Sequence, residues 1–143
     1  MEPVHVLYTA TASATGGRNG HTKSGDGMVD LDLSIPKAMG GPGRPNTTTP
    51  EDLFAAGYAA CFGSALEFVA RQKKLPVKTI TVNSAVGIGT TPAGAFGLTV
   101  SLEVHLPEVD KQTAETLVQE AHQVCPYSNA TRNNINVQLT VAG

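Results

Sequence analysis

Cys61 and Cys125 are the two cysteines of the sequence, and a thiol can act as nucleophile, metal ligand or redox centre. In a reducing compartment such a pair seldom serves as a structural staple, so metal binding and redox chemistry come first. Cys61 lies in an apolar stretch where Gly57, Ala60, Gly63 and Ser64 surround it with small side chains. That leaves room for a substrate to approach. The plain alternative is a small buried hydrophobe. Cys125 stands directly before Pro126, which pushes the preceding residue out of helical geometry and so marks a helix end.

Attack on a peroxide requires the thiolate, and a thiol of pKa ~8.5 is mostly protonated at neutral pH. Lowering that pKa by two to three units requires about 3–4 kcal/mol of preference for the anion. The dipole of a helix beginning near residue 50 has faded by residue 61. A cation must supply the difference. A contact ion pair is worth about 1 kcal/mol in water but about 4 at an effective dielectric near 20, so one half-buried arginine suffices. Arg18, Arg44, Arg71 and Arg132 are the candidates. Arg71 is ten residues beyond Cys61, roughly 15 Å along a straight helix. Arg18, in Gly16-Gly17-Arg18-Asn19-Gly20, sits on a turn free to reach a pocket.

Three rivals use the same residues differently. His122 and Cys125, spaced i, i+3, could join Cys61 in a zinc site, but four ligands at recognisable spacing are missing. A cysteine hydrolase needs a histidine base beside Cys61, and His5, His21, His105 and His122 show no such signature. A binding protein with an apolar pocket would leave both cysteines inert.

The elements that must position these side chains are legible from pattern. Val4 to Ala14 alternates loosely and predicts a strand. Met28 to Ser34 does so more clearly, with Val29, Leu31 and Leu33 opposite Asp30, Asp32 and Ser34. Between Ile35 and Thr48 runs a Gly- and Pro-rich loop, long enough to be functional or pinned to a partner. Thr49, Pro50, Glu51 and Asp52 form a helix start, and the helix is expected to reach Lys73 or Lys74. Its body is apolar nearly all round, which implies burial on several sides. Strands are expected at Val77 to Ile88, Phe96 to Leu106 and Asn136 to Val141, with helices at Asp110 to Val124 and Ser128 to Asn133. Strand runs broken by two main helices indicate an α+β fold, expected as one domain over residues 1–143. An antiparallel sheet packed on the long helix cannot cover it on every side. An intimate homodimer is the expected remedy.

Ten Lys plus Arg against twelve Asp plus Glu give a formal charge of −2. No basic cluster stands out, so nucleic acid and anionic membranes are not expected partners. Neither a signal peptide nor an apolar stretch of the ~18 residues needed for a span is read. A cytoplasmic location follows as an expectation.

The chain resembles the organic hydroperoxide resistance (Ohr) family of the wider Ohr/OsmC superfamily, over essentially its whole length. The likeness is carried by the stretch from Thr49 to Phe62 around Cys61, by Val124-Cys125-Pro126-Tyr127-Ser128-Asn129-Ala130, and by the turn bearing Arg18. The strand from Val29 and the loop from Gly40 also match. Thr49 replaces the asparagine common in the family; both cap helices. The resemblance implies Cys61 as peroxidatic thiol, Cys125 as resolving thiol, Arg18 as the cation beside the thiolate and Glu51 as the carboxylate orienting Arg18. It further implies an interlocked α+β homodimer with two sites at its interface and no metal or flavin cofactor. The implied substrates are bulky organic hydroperoxides, and the implied reductant is a lipoylated protein dithiol.

One spacing stands out against that assignment. Glu51 and Cys61 are ten residues apart, roughly 15 Å along an unbroken helix. Either the helix bends near Gly57, or one contributor comes from the other subunit.

Overall fold

The computed structural model describes residues 2–143. Its order is β1 (Ala12–Thr15), β2 (His21–Ser24), β3 (Asp30–Asp32), α1 (Pro50–Gln72), β4 (Thr81–Thr90), β5 (Phe96–His105), α2 (Lys111–Val124), α3 (Pro126–Thr131) and β6 (Val137–Val141). The chain divides into two compact units, one up to Pro50 and one from Glu51 to Gly143.

The first unit is an antiparallel sheet in the order β1-β2-β3. Between β1 and β2 lies a short 3-10 turn, Gly17–Asn19, which carries Arg18. Glycine is required here on two counts. Gly16 has φ +82°, and a Cβ on Gly20 would lie 1.8 Å from the Thr15 carbonyl oxygen. Asn19 Oδ1 accepts the Ile35 N–H at 2.9 Å, and the Arg44 guanidinium donates to the carbonyls of Leu33 (2.7 Å) and Asn19 (3.1 Å). The turn is therefore anchored from the loop that follows β3. His21 on β2 faces β3: Nδ1 is 2.7 Å from Asp32 and Nε2 is 2.5 Å from Asp30.

Residues 4–10 form no strand, contrary to the expectation from their alternation. A strand needs a ladder partner, and these residues find none among the described residues. Val4, Val6, Leu7 and Tyr8 are 82%, 65%, 91% and 79% exposed. β3 is likewise shorter than the pattern from Met28 to Ser34 suggested.

The second unit holds the core. β4 and β5 form a long antiparallel hairpin, and β6 joins β5 in parallel, so this sheet is mixed rather than purely antiparallel. α1 is 23 residues long and buries Tyr58, Phe62, Ala65, Leu66, Val69 and Ala70. Those positions make one stripe at helical spacing. The stripe packs in a single cluster with Val100, Leu102 and Val104 of β5 and with Ala114, Leu117, Val118 and Ala121 of α2. Each large side chain in it contributes on the order of 1.5–3 kcal/mol by leaving water. Only that stripe of α1 is buried within the chain; Ala56, Ala60, Ser64 and Phe68 face outward. By length and composition α1 is long and apolar enough to cross a membrane, which corrects the sequence expectation. The helix body, apolar nearly all round, reaches that length, and its packed stripe accounts for its character as a core helix.

Candidate thiol active site

Cys61 lies on α1 three residues after Tyr58, at the edge of the buried stripe, and is half-buried. Cys125 occupies the seam between α2 and α3. Its N–H closes the last turn of α2 on the Ala121 carbonyl (2.9 Å), and its own carbonyl accepts the Asn129 N–H that opens α3 (2.9 Å). Between these bonds its backbone is extended, φ −65° and ψ 125°, as Pro126 demands. The side chain continues the apolar stripe of α2 and is fully buried. The fold thus brings together two sulfurs 64 residues apart: Sγ of Cys125 is 3.5 Å from Sγ of Cys61. Both are free thiols.

Burial pushes the Cys61 thiol up from its ordinary pKa. The Tyr127 backbone pulls the other way, and the neighbouring Cys125 adds to the rise. A single chain's second unit therefore favours the thiol. Thiolate chemistry needs a further positive group.

Glu51 stands in the first turn of α1, and α1 runs unbroken through Gly57 to Gln72. Ten residues of such a helix rise about 15 Å, so one chain's α1 does not bring Glu51 to the Cys61 sulfur. Arg18 belongs to the first unit, at the centre of its 3-10 turn.

Beside the thiols the structure shows groups that sequence alone did not single out. The ring of Tyr127 rests on Gly57, where an added Cβ would meet its hydroxyl at 2.9 Å. Tyr127 also completes an aromatic cluster with Phe54 (6.1 Å between centroids) and Tyr58 (5.7 Å). Behind it lies a buried polar chain. Tyr58 Oη is 2.7 Å from Ser128 Oγ and 3.1 Å from Thr131 Oγ1, and His122 Nδ1 is 2.8 Å from Ser128 Oγ. Thr131 donates to the Ser128 carbonyl at 3.2 Å. Each hydroxyl has one proton to give. With Thr131 donating to the backbone, the order that satisfies every contact runs from His122 Nδ1–H to Ser128, from Ser128 to Tyr58 and from Tyr58 to Thr131. Burial, with Arg132 adding to it, holds the His122 imidazole below its ordinary pKa, favouring the neutral ring. The one signal available beforehand was Tyr58 at i−3 from Cys61, on neighbouring positions of one helix.

Of the apolar residues near the motifs, Phe62 is wholly core, whereas Phe96 and Met28 are 72% and 84% exposed. Among the described residues no group of three or more His, Cys, Asp or Glu is placed to hold a metal ion.

Comparison with known proteins adds a second line of observation. The family model for OsmC-like proteins matches residues 41–140. The chain is 54% identical over 141 residues to an organic hydroperoxide resistance protein of Xanthomonas axonopodis pv. citri (strain 306), covering 98% of each. To the organic hydroperoxide resistance protein OhrB of Bacillus subtilis (strain 168) it is 43% identical over 134 residues, covering 94% of this chain and 97% of that one. Among solved structures, an organic hydroperoxide resistance protein OsmC from Legionella pneumophila superposes with a TM-score of 0.91 at 47% identity, covering 97% of this chain and 100% of that one. The crystal structure of Bacillus subtilis OhrB gives 0.87 at 41% identity, covering 96% and 100%.

Proposed function

We propose, from the premise that the chain belongs to the OsmC-like family and within it to the organic hydroperoxide resistance proteins, that it is a cysteine-based peroxidase reducing organic hydroperoxides to alcohols. The observation that carries the mechanism is the 3.5 Å approach of the Cys61 and Cys125 sulfurs. The more accessible Cys61 attacks, and the buried Cys125 resolves.

The Cys61 thiolate displaces the O–O bond of the hydroperoxide. Its sulfur takes the terminal oxygen, and alkoxide leaves to be protonated to alcohol. Cys125 then attacks the resulting sulfenic acid; an S–S bond forms, the S–O bond breaks, and water departs. An external dithiol restores both thiols by exchange and is itself oxidised to a disulfide. A lipoylated protein is the reductant we assign to that step. No metal or flavin enters any step.

Arg18 supplies the cation that the raised thiol of Cys61 calls for. A guanidinium in a low-dielectric pocket offsets the burial penalty, and its donors can follow charge onto the peroxide oxygens. Glu51 orients it. Because α1 is unbroken between Glu51 and Cys61, a second copy of the chain contributing to each site is the arrangement that reconciles the two residues. The same homodimer gives the exposed Val4, Val6, Leu7 and Tyr8 a partner, and the outward small residues of α1 a cover. We place the enzyme in the cytoplasm.

The test is stopped-flow mixing of reduced protein with an alkyl hydroperoxide and with hydrogen peroxide, followed by disulfide mapping. Fast reaction with the alkyl substrate and a Cys61–Cys125 crosslink are expected. A slow reaction at neutral pH, with both thiols intact, contradicts the peroxidase assignment.

A further inference from the structure

The polar chain behind the two thiols has no role in the steps above, yet it links the two elements that carry them. Tyr58 is fully buried on α1, three residues before Cys61. Its phenol reaches across 70 and 73 residues of sequence to Ser128 and Thr131, both on α3 and both buried. Cys125 is the cap residue from which α3 starts. Helix α3 has only six residues, too few to persist without tertiary anchors. One hydroxyl of the Cys61 helix holds it at two points, and His122 of α2 holds Ser128 from the other side.

We propose that Tyr58 is a positioning residue for the resolving step: its phenol, through Ser128 and Thr131, fixes α3 and with it the Cys125 sulfur beside Cys61. This rests on the assignment of Cys61 and Cys125 as the reacting pair. Disulfide formation must bring the sulfurs from 3.5 Å to about 2.05 Å. An α3 that drifts lengthens the average gap while the Cys61 sulfenic acid waits. A second molecule of hydroperoxide then competes for it and carries the sulfur to sulfinic acid, out of the cycle. Peroxide attack itself does not use Cys125, and any slowing of it through Tyr127, which α3 also carries, is read separately in the rate of first attack.

The experiment compares wild type with Tyr58→Phe. Reduced protein is mixed with tert-butyl hydroperoxide over a range of concentrations, quenched, and its Cys61 sorted by mass spectrometry into disulfide and sulfinic acid. Tyr58→Phe leaves Ser128 bonded to His122 and Thr131 bonded to the Ser128 carbonyl, so the fold is retained. Each of the phenol's two buried hydrogen bonds corresponds to about fivefold in a rate or equilibrium. The peroxide concentration that sends half of Cys61 to sulfinic acid therefore falls by about fivefold or more, with the rate of first attack measured alongside on the same variant. In a Cys125→Ser background the same substitution has no effect on sulfinic acid formation. A purely structural role lowers the unfolding temperature without moving the partition. A folded Tyr58→Phe protein with the wild-type partition overturns the proposal. Should Tyr58→Phe not fold, Thr131→Val, which keeps the Tyr58–Ser128 bond, carries the test: a smaller shift in the same direction supports the role, and the wild-type partition overturns it. The wild-type control separates the two levels. No disulfide in wild type refutes the peroxidase mechanism itself, whereas a normal wild-type cycle with an unaltered variant refutes only the part assigned to Tyr58.

Discussion

Gly57 and Tyr127 are in contact across α1 and α3: the phenol ring occupies the space that any side chain at 57 would take, with its hydroxyl 2.9 Å and its ring carbons 3.2 and 3.3 Å from an added Cβ. The backbone of the same Tyr127 lowers the pKa of Cys61, one helical turn further along. A glycine in mid-helix costs roughly 0.5–1 kcal/mol relative to alanine, and here it seats the residue whose backbone lowers the Cys61 pKa.

Gly57→Ala therefore sets two effects against each other. The helix gains propensity, while the ring must shift by a few tenths of an ångström. Thermal unfolding is expected to change by less than about 1 kcal/mol in either direction. The Cys61 pKa, followed by thiolate absorbance, is expected to rise as the Tyr127 backbone loses alignment. A clear loss of stability with an unmoved pKa would mean that Tyr127 only fills space.

The two cysteines are expected to separate cleanly in kinetics. Cys61→Ser abolishes peroxide turnover. Cys125→Ser retains one stoichiometric reduction, loses cycling with dithiols and accumulates sulfinic acid on Cys61. Steady-state turnover with a dithiol measures both, and unchanged turnover in Cys125→Ser removes it from the resolving role.

Under the proposed mechanism, Arg18→Ala leaves the Cys61 thiol to its burial. The pH–rate profile of attack on an alkyl hydroperoxide is expected to move up by about two units, with a corresponding loss of rate at pH 7. A profile identical to wild type takes Arg18 out of the site.

His21 provides a pH test independent of the thiols. Both ring nitrogens face carboxylates, Asp32 first and Asp30 second, and these raise its pKa. A raised folded value means the favourable contribution is complete below the free-imidazole value of about 6.5 and fades as pH climbs through the folded value. An NMR titration of the His21 ring should place its midpoint above that of free histidine, and Asp32→Asn should lower it. A midpoint at or below the free value contradicts the bridge.

Local signals carried far in this chain, and long-range ones did not. The start of α1 at Pro50 and the break at Cys125 before Pro126 follow from a few adjacent residues, and the helix expected from Asp110 begins at Lys111 with Asp110 capping it by accepting the Thr113 N–H. The strand expected over Val4 to Ala14 shrank to Ala12–Thr15, because alternation states which side chains want cover without stating what pairs with the backbone. The polar chain from His122 to Thr131 escaped notice for a similar reason. Its tyrosine looks like one more apolar position on α1, and its meaning appears only when α3 is folded against it. The pairing of Arg18 with Cys61 rests on family resemblance, since no spacing between positions 18 and 61 speaks to it.

The 64 residues that separate the two sulfurs bear on more than chemistry. A covalent link between them ties off a loop of that length, and chain-entropy arithmetic assigns about 4 kcal/mol to such a closure when the folded geometry accepts it without strain. The oxidised protein should accordingly melt several degrees above the reduced one. Each turn of the proposed cycle would alternate the molecule between a tougher and a more yielding form, making a melting curve a gauge of its redox state.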